Sequence, residues 1–155
     1  VIVCVDFDGT IVVQDGRRYD DVESPLEFVP GAKRALLALK AAGHALVLWS
    51  ARASLALRHD PAADPLVRAG VRDVNHAAWR ASRALNEARY QQMLAFVDAH
   101  LPRVFDAIDD GTMGKPLCDL FIDDKAIAFG QHRRGLSWLD IQTRFGADAP
   151  GRRIA

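Results

Sequence analysis

Cysteine is scarce in this sequence. Cys4 and Cys118 are its only two in 155 residues, too few for the disulfide framework that staples small secreted domains. Both lie in apolar runs that read as strands, where a thiol packs as a small hydrophobe. Long apolar runs are missing too. Nothing approaches the roughly 18 consecutive apolar residues that a membrane span needs, and no stretch reads as a signal peptide. Cytoplasmic localisation and no membrane partner are the expectations. The chain also lacks net charge, because 20 Lys and Arg offset 20 Asp and Glu. Nucleic-acid binders are usually basic, so no nucleic-acid partner is expected. The five histidines have no paired metal-ligand spacing and read as structural or surface residues. Internal repeats and low-complexity tracts are absent.

Half the residues are hydrophobic, and a chain of this length buries roughly 70% of its unfolded surface. One domain over 1–155 is expected. Val1 to Val5 is a continuous apolar run that stops at Asp6, as in a strand buried on both faces. Ile11 to Val29 mixes short apolar pieces with Gly, Asp and Pro and reads as a loop or small hairpin. Pro30-Gly31 opens a helix carrying Ala32, Ala35, Leu36 and Leu39 at helical spacing, and Gly43 stops it. His44 to Trp49 is a second strand, ending at Ser50.

The segment from Arg52 to about Ala84 is interrupted by Asp60-Pro61, Asp64-Pro65 and Gly70 and reads as short helical pieces and turns. Asn86 is read as a helix N-cap. Tyr90, Leu94, Val97 and Leu101 make one apolar face, and Pro102 ends that helix. Phe105 to Ile108 and Leu117 to Ile122 are two further strands. Ser137 to Phe145 is read as a last helix, before a frayed tail from Gly146 to Ala155.

Strand and helix alternate, which predicts an α/β fold: a Rossmann-like three-layer sandwich with a mainly parallel sheet. Ligands bind outside the carboxyl ends of such strands. Asp6, Asp8, Ser50, Asp123 and Asp124 stand at strand ends, and Lys115 lies on the loop before the last strand. Several carboxylates in one crevice repel each other unless a cation is present, and oxygen ligands suit Mg²⁺. Ser50 and Lys115 are donors that suit a phosphate. Together these groups are equipped for phosphoryl transfer.

The same residues resemble the haloacid dehalogenase superfamily. Asp6-Phe7-Asp8-Gly9-Thr10 resembles its first motif, Ser50 its second, Gly114-Lys115-Pro116 its third and Phe121-Ile122-Asp123-Asp124 its fourth, in the family's order. The resemblance covers about residues 1–130 and is nearest to small members with little or no cap. It implies a magnesium-dependent phosphomonoester hydrolase. Asp6 would be the nucleophile and Asp8 the acid and then the base. Gly9 would permit the sharp turn after Asp8 and line the phosphate, with Ser50, Lys115 and Arg52 as further phosphate contacts. Mg²⁺ would be held by Asp6, the backbone carbonyl of Asp8 and Asp123, with Asp124 acting through water or on its neighbours.

Substrate choice in this family resides in a cap, and here only a short lid-like insertion at about 53–85 is available. It is rich in arginine: Arg58, Arg68, Arg72, Arg80 and Arg83, flanked by Arg52 and Arg89. A solvated helical face is one reading of it. Recognition of a second anionic group, or a homo-oligomer interface, is the other. The expected partner is a small phosphorylated metabolite, a sugar phosphate or nucleotide. A phosphotransferase and a catalytically silent phosphate-binding scaffold remain as alternatives. A receiver-type signalling domain is disfavoured by motif order, because its acidic pair precedes its Lys.

Overall fold

The computed structural model describes residues 1–59, 69 and 76–125, with backbone alone at 56 and 76–81. Val1–Asp124 form one compact unit, and a second runs from Lys125 to Ala155. Apart from Lys125, the second unit lies outside the described residues. So do the helix expected over Ser137–Phe145, the tail after it and the middle of the expected lid.

Strand β1 (Ile2–Val5) leads through helix α1 (Ala32–Ala41) to β2 (Ala45–Leu48). A 3₁₀ turn (Ala51–Ala53), the one-turn helix α2 (Leu55–Arg58) and the long helix α3 (His76–His100) follow, then β3 (Ala107–Ile108) and β4 (Leu120–Ile122). The strands form one all-parallel sheet in the order β3-β2-β1-β4. This is an α/β fold of Rossmann-like type, as the alternation of elements predicts. The two outer strands are shorter than their apolar runs. β4 begins only at Leu120, after the Asp119 carboxylate has accepted the Ile2 N–H at 2.7 Å. Leu117, expected inside that strand, is 92% exposed.

Register partners share a face of the sheet. Val3 and Val5 of β1 pair with Leu46 and Leu48 of β2, and all four are buried. They pack in one cluster with Phe7, Ile11, Val12, Leu36, the α3 residues Tyr90, Met93, Phe96 and Val97, and Leu101 just after α3. Phe96 meets Phe7 edge-on at 5.8 Å between ring centres, an arrangement that favours the ring quadrupoles. Helix α1 stops where Gly43 takes φ 81°, a left-handed angle that costs glycine little.

Asn86 is a correction. It is not an N-cap but lies in the middle of α3, which starts ten residues earlier. Alanine, leucine and arginine dominate the preceding stretch, and their helix propensity carries the helix through it. The buried Asn86 amide makes tertiary bonds instead. It donates to the Leu57 carbonyl at 3.0 Å and accepts from the Tyr19 hydroxyl. The expected short pieces at the start of the interrupted segment are present as the 3₁₀ turn and α2.

The Ile11–Val29 segment is a small irregular hairpin, with Val12 bridged antiparallel to Phe28. Its outer part is tied down by Arg17, which donates to the carbonyls of Asp21, Ser24 and Pro25. Gln92 of α3 donates to the Val22 carbonyl at 2.9 Å. No helix among the described residues is long and apolar enough to cross a membrane.

Candidate active site at the carboxyl ends of the strands

Three strand ends meet at Asp6. Its N–H donates to the Ile122 carbonyl at 2.9 Å on the β4 side, and the Trp49 N–H donates to Val5 at 3.1 Å on the β2 side. Ladder hydrogen bonding therefore delivers Asp6, Ser50 and Asp123 to one edge. The carboxylate oxygens of Asp6, Asp123 and Asp124 approach within 4.8 Å of one another. Burial is the largest influence on Asp6 and raises its pKa to about 6. The charges of Asp123, Asp8 and Asp124 push in the same direction, and a backbone hydrogen bond at Phe7 opposes them. Three hard oxygen donors at this spacing, one of them reluctant to ionise, fit a small divalent cation.

The turn after Asp6 packs against the acidic pair. Gly9 has φ 81°, and a Cβ there would lie 2.7 Å from the Asp124 Cγ. No larger side chain fits without moving Asp124. The Asp124 N–H donates to the Thr10 hydroxyl at 3.0 Å. Asp-Gly-Thr thus builds a turn that β4 can close on.

Asp8 has different surroundings. Its two oxygens accept from Arg52, from Nη2 at 2.6 Å and from Nε at 2.8 Å. This is the two-point pairing that a guanidinium makes with a carboxylate. Arg52 is itself buried, and its Nη1 donates to the Arg89 carbonyl at 2.8 Å and to Gln92 Oε1 at 3.1 Å. Arg89 Nη2 is 3.6 Å from Asp8 Oδ2. Beside Asp8 lies a cavity of about 140 Å³, walled by Tyr19, Arg52, Leu57, Asn86 and Arg89.

Asp6, Asp123 and Asp124 are thus brought together. Asp8 lies two residues along, with its carboxylate engaged by arginine. Ser50 is buried and caps the 3₁₀ turn, its hydroxyl accepting the Arg52 N–H at 3.3 Å. Lys115 is exposed, its ammonium 5.4 Å from the centre of the Phe121 ring, and it forms no ion pair among the described residues. Of the lid arginines, Arg58 is buried over the Tyr90 ring at 3.8 Å and paired with Glu87 at 2.9 Å. Arg83 donates to the Arg58 carbonyl at 3.2 Å. Arg68, Arg72 and the Arg80 side chain lie outside the described residues.

Sequence reasoning missed Tyr19, Asn86 and Gln92 and treated Arg89 only as a flank. A signal existed. Asn86, Arg89 and Met93 fall at spacings of three and four on the buried face of α3, so two polar residues occupy core-facing positions.

No protein-family model matches the chain, and no curated protein matches it. Among solved structures it is similar to a conserved protein from Bacteroides thetaiotaomicron at 25% identity and a TM-score of 0.43. The match covers 81% of this chain and 76% of that one.

Proposed function

We propose that the protein is a magnesium-dependent phosphomonoester hydrolase of the haloacid dehalogenase type, with Asp6 as nucleophile. The observation that carries the reading is the convergence of Asp6, Asp123 and Asp124 within 4.8 Å at the ends of adjacent strands. A separately held carboxylate, Asp8, sits two residues from the proposed nucleophile.

Asp6, Asp123 and the Asp8 backbone carbonyl would hold Mg²⁺, with Asp124 acting through water or on its neighbours, and the cation would offset the charge of the phosphoryl oxygens. An Asp6 oxygen attacks phosphorus, forming an aspartyl-phosphate as the ester P–O bond breaks. Asp8 would first take up a proton from solvent, one oxygen turning out of the Arg52 fork, and then pass it to the departing oxygen. Water then attacks the same phosphorus and gives a proton to Asp8. The Asp6–phosphorus bond breaks, phosphate leaves, and both carboxyl groups return to their starting states. Arg52 holds the Asp8 plane and aims it, as a positioning residue. Ser50, Lys115 and Gly9 would line the phosphoryl oxygens. The substrate class is a small phosphorylated metabolite. Two free thiols, Cys4 and Cys118, suit a reducing cytoplasmic setting.

The test is a panel of phosphorylated metabolites assayed for phosphate release with Mg²⁺ and again with EDTA. Release that stops with EDTA supports the reading. Release that continues unchanged contradicts it.

A further inference from the structure

The cavity beside Asp8 has more positive charge on its walls than negative. Arg52 and Arg89 are only 6% and 5% exposed, and they share the single carboxylate of Asp8. Arg52 is occupied, since its Nε, Nη1 and Nη2 all donate to oxygens. Arg89 is not. A guanidinium carries five N–H donors. Among the described residues Arg89 donates one hydrogen bond, to the Tyr19 carbonyl at 2.5 Å. Its approach to Asp8 is an ion-pair distance rather than a hydrogen bond. Tyr19 also covers one face of the group, its ring centre 4.0 Å away. Burial, and then the Arg52 charge, hold the Arg89 guanidinium below its ordinary pKa range. Nearby acids are engaged elsewhere: Glu87 with Arg58, Asp20 with Arg18 and Asp21 with Arg17.

We propose that this cavity is a subsite for a second anionic group on the leaving-group side of the substrate, received by Arg89. The inference rests on the phosphatase reading, which gives Asp8 the leaving oxygen. Asp8 lines the cavity, so whatever hangs from that oxygen meets the cavity next. Pockets for drug-sized ligands run from about 300 to 1,000 Å³. One of about 140 Å³ takes a carboxylate or phosphate on a short chain and cannot enclose a nucleoside. The substrate class narrows to small phosphorylated acids or bisphosphates.

Phosphoglycerate and glycerol phosphate form a matched pair, differing by a carboxylate in place of a hydroxymethyl group. On the full chain with Mg²⁺, kcat/KM for phosphoglycerate is expected to exceed that for glycerol phosphate by about tenfold or more, the worth of one charge-assisted hydrogen bond. Arg89→Met should bring that ratio close to one, whatever it does to either rate. Propanediol bisphosphate in place of phosphoglycerate tells whether a second phosphate or a carboxylate is preferred. A wild-type ratio near one for both anionic substrates overturns the proposal, as does a preference that survives Arg89→Met. Should Arg89→Met fail to fold, Arg89→Lys keeps the charge, loses the planar fork and should lower the ratio. Calorimetric binding of the same compounds to the Asp6→Asn protein separates the two ideas. Tighter binding of an anionic member that is lost on changing Arg89 supports the subsite even where no hydrolysis occurs. Equal binding overturns the subsite and leaves the phosphatase reading intact.

Discussion

Two regions only a few residues apart treat carboxylates in opposite ways. At the β1 and β4 ends, Asp6, Asp123 and Asp124 crowd together and burial lifts the Asp6 pKa to about 6. Around Asp8, two buried arginines meet one acid. The first region gathers three carboxylates, and the second sets two guanidinium groups against one. A bound cation would stabilise the acidic corner, whereas the arginine side is preorganised without one. That division matches the needs of phosphoryl transfer, in which one carboxylate works beside a metal and the other handles protons.

The comparison breaks most completely at Asp6. Asp6→Asn is expected to lower Mg²⁺-dependent phosphate release by about a thousandfold or more, while circular dichroism still reports the parent fold. The next largest effect belongs to the arginine side. Arg52→Ala removes both donors from Asp8 and leaves a half-buried carboxylate with one distant partner. It should cost about 3 kcal/mol of stability in urea unfolding, and kcat should fall further than in Arg52→Lys.

Gly9→Ala tests how closely the corner is packed. A left-handed φ and a Cβ 2.7 Å from the Asp124 Cγ predict a loss of about 2 kcal/mol and weaker Mg²⁺ activation.

A pH series sharpens the contrast further. Asp6 holds its proton to a higher pH folded than unfolded, so the folded state binds more protons between about pH 4 and 6. In EDTA the Asp6 contribution to the thermal midpoint, read as the difference between the parent and Asp6→Asn, should decline as pH rises through that window, because a group that the native state protonates more strongly loses its stabilising effect there. Parallel pH profiles for the parent and Asp6→Asn would contradict the raised Asp6 pKa. The smallest effect is expected at Arg18, whose pair with Asp20 lies on the surface. Arg18→Ala should change neither the midpoint nor the rate measurably.

The acidic corner was legible in the sequence because each part of it is local. An apolar run ends in an acid, and a parallel sheet lines up such ends. Asp6, Asp123 and Asp124 follow from that alone. The arginine side was not legible in the same way. Arg52 and Arg89 are 37 residues apart, and their meeting depends on α3 lying against the 3₁₀ turn. Arg52 read as a phosphate ligand because it follows Ser50, yet its fork is turned onto Asp8. Asn86 was misread because a capping residue type carries no mark of a tertiary role. Only its place on the buried face of α3, three residues before Arg89, hints at one. The β4 start was misplaced because Leu117 is apolar and continues the pattern, although pairing begins only after Asp119.

The central claim is that Asp6 carries the phosphoryl group. Rapid acid quenching after mixing the protein with Mg²⁺ and a radiolabelled phosphomonoester that it hydrolyses, followed by peptide mapping, tests it directly. The prediction is a labelled acyl-phosphate on the peptide containing Asp6, absent from Asp6→Asn. Label on another residue, or hydrolysis that proceeds equally well in Asp6→Asn, would contradict it.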